Sequence, residues 1–150
     1  MTYQASHEIL AVIDTQIMVP AIALKDPEHG FYVSAIRKCW KFVFSEEIIQ
    51  EYQRVIKEYG MRGDVVHHEL IKLYHMNKYR TSRADTMPIG EELSPRKDKH
   101  IIGACQDVAN TIVSNDRGIL QRSHVIQERL MARVISLQSA IQELATRPDC

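Results

Sequence analysis

The sequence predicts an α/β fold in which a parallel sheet carries helices on both faces. Three short apolar runs rich in β-branched and aromatic residues are typical of buried strands: Ile9 to Ile13, Lys41 to Phe44 and Thr111 to Ser114. Segments with helical apolar spacing separate these runs, and strands that alternate with helices form parallel sheets. A chain of 150 residues can bury a core as one domain, which we expect to span 1–150.

The clearest predicted helix is SEEIIQEYQRVIKEYG, which follows the second strand. Ser45 is a good N-cap, Glu46 and Glu47 favour the positive end of the helix dipole, and Gly60 ends the helix. Its apolar stripe consists of Ile48, Tyr52, Val55, Ile56 and Tyr59. Further helices are predicted at 21–30, 31–40, 64–79, 97–109, 123–131 and 139–145, a last strand at 133–137, and a loop with a short strand at 80–96.

Charge, cysteine content and the length of the apolar runs indicate the cellular compartment of the protein. Nineteen basic residues balance nineteen acidic ones, so net charge argues neither for nor against a nucleic-acid partner. Cys39, Cys105 and Cys150 are far apart and odd in number, which indicates reduced thiols. The chain starts without the basic flank of a signal peptide, and no apolar run approaches the roughly 20 residues that cross a bilayer. We therefore expect a cytoplasmic protein without a membrane segment.

Two acids follow predicted strands. Asp14 lies within ILAVIDTQIMV, where burying a carboxylate is costly unless something compensates it, and Asp116 comes two residues after TIVS. Sites in parallel α/β folds form beyond the carboxyl ends of strands, where both acids would lie. Each acid also has a simpler interpretation, helix capping for Asp14 and ordinary turn chemistry for Asp116.

Two further acids lie on predicted helices. On a helical wheel of DKHIIGACQDVA, Asp98 falls inside the apolar stripe and would point toward the strand ends. Glu51 lies at the flank of the stripe in the helix after the second strand. The alternatives are stabilisation of a helix dipole for Asp98 and an ion pair with Arg54 for Glu51.

These acids together form a candidate metal site. Clustered carboxylates repel one another, so one takes up a proton unless a cation neutralises them. Acid-lined, oxygen-rich sites suit Mg²⁺ or Mn²⁺, which also engage phosphates. The predicted site consists of Asp14, Glu51, Asp98 and Asp116.

Four segments between Glu8 and Ala145 carry the most specific pattern: VIDTQIMV, FSEEIIQEYQRVI, KDKHIIGACQDVANTIVSND and RVISLQSAIQEL. In order and spacing they resemble the PIN-domain family, metal-dependent ribonucleases that include the toxins of VapC-type toxin–antitoxin pairs. The resemblance implies a three-layer α/β/α sandwich with a central parallel sheet. It also implies hydrolysis of RNA phosphodiester bonds by a metal-activated water.

The resemblance assigns roles to individual residues. The family's acids, which hold Mg²⁺ or Mn²⁺ directly or through water, fall on Asp14, Glu51, Asp98 and Asp116. Thr15 and Ser114 match small hydroxyl positions beside the first and last acids, and Gln16 stands where the family usually has Asn. The expected partners are an RNA substrate and, as candidates, an antitoxin protein and a second copy of the chain.

Basic residues near the predicted site are candidates for binding the RNA backbone. Lys97 and Lys99 flank Asp98, while Arg80 and Arg83 belong to a basic and aromatic segment suited to phosphates and stacked bases. A solvated helix face explains the second pair equally well.

Two other functions stay open. A catalytically silent PIN-like domain would bind RNA or act as a scaffold without cleaving it. A phosphoacceptor receiver-like domain needs a pair of acids near the end of the first strand, where LAVIDTQ offers one. A haloacid-dehalogenase-type phosphatase requires D-x-D there, and Gln16 excludes it.

Overall fold

A parallel sheet of four strands is the centre of the protein, for which a computed structural model describes residues 8–58, 68, 80–81 and 109–150. The strands are β1 (Leu10–Ile13), β2 (Lys41–Phe42), β3 (Phe44–Ser45), β4 (Arg80–Thr81), β5 (Thr111–Val113) and β6 (Arg133–Ile135). The sheet has the order β2-β1-β5-β6, and β3 forms a separate parallel pair with β4. The single strand predicted at Lys41 to Phe44 is therefore wrong, because the chain passes from one sheet to the other at Val43. The central strands β1 and β5 are almost wholly buried, which explains their aliphatic and β-branched sequences.

The register of β1 and β5 brings the residues that follow them to one edge of the sheet. Ala11 lies opposite Thr111, and Ile13 lies opposite Val113. The N–H of Asp14 continues this pairing by donating to the carbonyl oxygen of Val113 at 2.9 Å. Asp14 therefore leaves the sheet beside the chain that follows β5.

Helices connect these strands within the described part of the chain. They are α1 (Thr15–Ile22), α2 (Glu28–Arg37), α3 (Glu46–Glu58), α4 (Arg117–Leu120), α5 (Ser123–Leu130) and α6 (Leu137–Ala145). Helix α1 contacts both α2 and α3, and α2 contacts α6. The predicted α/β class with a parallel sheet is confirmed. Across the residues that the structure describes, none of the helices has the length and apolar character to cross a membrane.

The first helix differs from the prediction. It begins at Thr15, directly after Asp14, and includes Pro20, whereas the sequence pattern predicts a helix at 21–30. Every residue of α1 except Gln16 is buried. Burial of an aliphatic side chain contributes roughly 1.5–3 kcal/mol, so several together offset the roughly 3 kcal/mol that an internal proline costs. Gly30, expected to end a helix, instead lies inside α2.

Helix α3 agrees with its prediction over the residues that the structure describes. The Oγ of Ser45 accepts a hydrogen bond from the N–H of Ile48 at 3.1 Å, as an N-cap does. The four described residues of the predicted stripe, Ile48, Tyr52, Val55 and Ile56, are buried. Tyr59, Gly60, the predicted helix at 64–79 apart from residue 68, and the helix at 97–109 apart from Ala109 lie outside the described residues.

The expectation of reduced thiols is wrong for two cysteines. Cys39 and Cys150 form a disulfide that joins residues separated by 111 positions. Cys150 also donates its N–H to the carbonyl oxygen of Arg37 at 3.4 Å, which brings residue 150 to the last residue of α2. The spacing of the cysteines in the sequence does not predict this pairing, because the pairing depends on how α2 and α6 pack. Cys105 lies outside the described residues.

Candidate functional site

The candidate site begins with a buried hydroxyl that links two acids. Ser114 donates a hydrogen bond from Oγ to Oδ2 of Asp14 at 2.6 Å. The same Oγ accepts a hydrogen bond from the backbone N–H of Asp116 at 3.0 Å. Asp14 is 5% exposed and Ser114 is fully buried. Because β1 and β5 are adjacent, the two predicted strand-end acids are brought to one edge of the sheet.

The structure also tests the simpler roles of Asp14 and Asp116, helix capping and turn formation. Asp116 is the N-cap of α4, since its Oδ2 accepts a hydrogen bond from the N–H of Ile119 at 3.1 Å. Asp14 also precedes a helix, and the first backbone amides of α1, those of Thr15 and Gln16, favour its charged form, although its side chain makes no hydrogen bond of capping geometry. Capping therefore accounts for one oxygen of Asp116 and only in part for the buried carboxylate of Asp14.

Electrostatics in the site disfavour the charged form of Asp14. Burial is the main cause that raises the pKa of this carboxyl, and the negative charge of Asp116 raises it further. The hydrogen bond from Ser114 opposes this, as do the backbone amides of Thr15 and Gln16. The net direction is upward, so a nearby cation would favour ionisation of Asp14.

Tyr52 reaches the same strand end from α3. Its hydroxyl donates to the carbonyl oxygen of Ile13 at 2.6 Å, and the residue is fully buried. Burial raises the pKa of the phenol well above its usual range, and the charge of Asp14 adds to this effect. The apolar stripe of α3 predicted the burial of Tyr52 and missed its polar contact. The available signal was that a buried tyrosine hydroxyl normally finds a hydrogen-bond partner.

Glu51 forms the ion pair with Arg54 that is its alternative role in the sequence. Nε of Arg54 donates to Oε2 of Glu51 at 3.1 Å, and Nη2 of Arg54 donates to Oε1. The Glu51 side chain is 26% exposed, so this bidentate pair is partly shielded from water. Both carboxylate oxygens thus contact a guanidinium in this structure.

The remaining predicted site residues divide into two groups. Thr15 is buried and its Oγ1 makes no hydrogen bond within the described structure, while Gln16 is exposed on the first turn of α1. Arg80 pairs in β4 opposite Phe44. The other four lie outside the described residues: Arg83, Lys97, Asp98 and Lys99.

The described residues are chemically suited to a divalent cation but do not form a complete ligand set by themselves. Within 8–58, 68, 80–81 and 109–150, no group of three or more His, Cys, Asp or Glu side chains is arranged to hold a metal ion. Asp14 and Asp116 offer hard oxygen ligands of the kind that Mg²⁺ and Mn²⁺ prefer. The unsatisfied Oγ1 of Thr15, next to Asp14, is a further oxygen that would gain from a bound ion or its water.

Comparison of the chain with protein-family models, with curated proteins and with solved structures finds no match. The functional interpretation therefore rests on the fold and on the residues around Asp14. They offer two carboxylates at the carboxyl edge of a parallel sheet, one of them buried and disfavoured as an anion.

Proposed function

We propose that this protein is a PIN-like endoribonuclease that depends on Mg²⁺ or Mn²⁺ and has a three-layer α/β/α architecture. The four-stranded parallel sheet and the helices around it support this proposal. The observation that carries it is the buried Asp14, linked through Ser114 to Asp116 at the carboxyl edge. A bound cation would compensate the part of the cost of burying this carboxylate that the hydrogen bond from Ser114 does not offset.

Each residue of the proposed site has its own role. Asp14 and Asp116 would hold the cation, Ser114 would orient the carboxylate of Asp14, and Glu51 and Asp98 would complete the ligand set. When bound, the cation would supply an activated water and stabilise the charge that develops on the phosphate. The basic residues proposed to bind the RNA backbone are Arg80, Arg83, Lys97 and Lys99.

The proposal extends to partners and compartment. A ribonuclease of this kind acts on RNA, and an antitoxin protein and a second copy of the chain are the candidate protein partners. We propose a cytoplasmic location, as expected of a protein that acts on RNA. In that reducing compartment the disulfide between Cys39 and Cys150 would be opened, so its redox state in cells tests this part of the proposal.

Cleavage of end-labelled RNA with and without Mg²⁺ or Mn²⁺ tests the function. We expect metal-dependent cleavage that falls by about 100-fold or more in both Asp14→Asn and Asp116→Asn, because each substitution removes a charge from the ion site. Glu128→Gln is the matched control, since this carboxylate is 72% exposed on α5. Cleavage that needs no metal, or that survives both substitutions at the level of the control, would refute the proposal.

The ion pair between Glu51 and Arg54 favours a second candidate function. A carboxylate held by a guanidinium is less available to a metal, as expected of a catalytically silent PIN-like module that binds RNA. Such a module would bind labelled RNA in a filter assay, leave it intact with either metal, and bind it equally well after Asp14→Asn.

A further inference from the structure

Tyr52 contacts the backbone immediately before the buried acid. Its hydroxyl lies 2.6 Å from the carbonyl oxygen of Ile13. A carbonyl oxygen only accepts, so the phenol is the donor. The ring packs edge-on against Phe44, with a centroid distance of 6.3 Å and an interplanar angle of 89°. Because Tyr52 is fully buried, the position of its hydroxyl is set by the core.

The peptide group between Ile13 and Asp14 is thereby held at both of its polar atoms. Its carbonyl oxygen accepts from Tyr52 on α3, and its N–H donates to the carbonyl oxygen of Val113 on β5. Two elements outside β1 therefore fix the plane of one peptide. The Cα of Asp14 belongs to that plane, and on its other side the carbonyl of Asp14 accepts from the N–H groups of Ile17 and Met18. With the peptide groups on both sides held, the direction in which the Asp14 side chain leaves the strand is also held.

We propose that Tyr52 is a positioning residue for Asp14. Without its hydroxyl, the carbonyl of Ile13 loses a donor in a buried environment, and the peptide is free to tilt toward another donor. Tilting displaces the Asp14 carboxylate relative to Ser114, whose hydrogen bond holds one of its oxygens. The same contact joins α3, the helix that also carries Glu51, to the end of β1.

The geometric part of this proposal is tested on the metal-free protein by nuclear magnetic resonance at fixed pH. Tyr52→Phe removes the hydroxyl and keeps the ring. We expect the side-chain carboxyl signal of Asp14 and the amide signal of Ser114 to shift in this variant. Thr111→Val is the matched control, since it removes a fully buried hydroxyl that accepts from Nε of Arg133 near the other end of β5. Unchanged Asp14 and Ser114 signals in Tyr52→Phe, or equal shifts in the control, would overturn the proposal.

A donor-retaining variant keeps the test decisive if Tyr52→Phe does not fold. Replacing Tyr52 by 4-aminophenylalanine keeps a donor at the same place but makes it a weaker one. The signals of Asp14 and Ser114 should then shift from their wild-type positions, because a weaker donor holds the carbonyl of Ile13 less firmly. Complete identity with the wild-type signals would count against positioning by the hydroxyl.

The consequence for chemistry rests on the proposed ribonuclease function and is measured separately. We expect Tyr52→Phe to weaken Mn²⁺ binding by about 10-fold in calorimetric titration and to lower kcat more than KM, as loss of a group that orients a metal ligand does. Thr111→Val should change neither. If the wild-type protein neither binds Mn²⁺ nor cleaves RNA, the proposed function fails while the metal-free spectra still decide the role of Tyr52. If the wild type does both and Tyr52→Phe matches it, the positioning role fails alone.

Discussion

Ser114 donates from Oγ to Oδ2 of Asp14 at 2.6 Å, although 100 positions separate the two residues in the sequence. The short distance is typical of a hydroxyl that donates to a charged carboxylate. The pairing of β1 with β5 creates this contact, because Ile13 and Val113 lie opposite each other. The hydrogen bond compensates part of the cost of burying Asp14 and at the same time limits the orientation of its carboxylate.

Replacing Ser114 by Ala should raise the pKa of Asp14 further, because the hydrogen bond from Ser114 is a main cause that lowers it. At pH 7 we also expect a loss of about 1.5–3 kcal/mol in the free energy of unfolding, the range for a buried hydrogen bond to a charged group. Carbon-detected titration of Asp14 and urea unfolding measure the two effects. Ser114→Thr keeps the hydroxyl and is the control. If the Ala and Thr variants have the same Asp14 pKa, this role of Ser114 is excluded.

Asp14→Asn should stabilise the metal-free protein at neutral pH. Burial, with the charge of Asp116, raises the pKa of Asp14, so the folded state binds its proton more tightly than the unfolded state does. Asp14 therefore makes its whole contribution to stability at pH values below the pKa that it has in the unfolded chain. This contribution is lost as the pH rises through the pKa of Asp14 in the folded protein. An uncharged Asn avoids that loss, and we expect a gain on the order of 1 kcal/mol at pH 7.

Thermal unfolding from pH 3 to 8 measures this gain, which should vanish at the acid end. Mn²⁺ should then stabilise the wild-type protein by mass action and leave Asp14→Asn unchanged. A variant that is less stable than the wild type at pH 7 without metal would contradict the expected penalty at Asp14.

Substitutions of Glu51 and Arg54 test whether Glu51 binds the cation. If Glu51 binds the cation, Glu51→Gln should weaken Mn²⁺ binding about 10-fold, and Arg54→Gln should strengthen it by removing a competing positive charge. Neither change should alter stability by more than about 1 kcal/mol, since the pair is partly exposed. Calorimetric titration gives both affinities. Identical affinities in the wild type and Glu51→Gln would leave Glu51 as a purely structural partner of Arg54.

The disulfide between Cys39 and Cys150 closes a long loop and should stabilise the chain. We expect reduction, or Cys150→Ser, to lower the free energy of unfolding by about 2–4 kcal/mol. Titration of thiols in the unfolded protein checks the pairing, because one of three cysteines should react before reduction and all three afterwards. A contact between Lys38 and Asp149 at 3.6 Å lies beside the disulfide, so Asp149→Asn controls for loss of that ion pair alone. Three reactive thiols before reduction would contradict the disulfide.

Sequence periodicity predicted those features of the fold that depend on local pattern. The buried strands β1 and β5, the N-cap at Ser45 and the stripe of α3 follow from side-chain spacing, and the structure confirms them. The predicted strand at Lys41 to Phe44 is instead divided into β2 and β3. The sequence misplaces helix α1 because burial of all its residues except Gln16 overrides the usual effect of Pro20. The hydroxyl contact of Tyr52 and the pairing of Cys39 with Cys150 depend on contacts between distant segments, which no local pattern reports. The convergence of the full acid set stays a prediction, since Asp98 lies outside the described residues.

The ion pair between Arg133 and Glu143 should make the protein sensitive to acid. Arg133 donates from Nη2 to Oε2 of Glu143 at 2.7 Å and from Nη1 to Oε1, and these hydrogen bonds are the main reason that the pKa of Glu143 is lowered. Because the pKa of Glu143 is lower in the folded protein than in the unfolded chain, its charged form stabilises the fold. This contribution is complete above the pKa of the unfolded chain and is lost as the pH falls through the pKa of the folded protein.

Glu143→Gln should therefore cost about 1 kcal/mol at pH 7, a modest value because both side chains are about one-third exposed and solvent screens the pair. The difference from the wild type should shrink toward zero as the pH falls below the ordinary pKa of a glutamate. Urea midpoints between pH 7 and 3 measure it, with Glu128→Gln as a control whose carboxylate is 72% exposed. A difference that stays constant over this range would show that the loss comes from packing and not from the charge of Glu143.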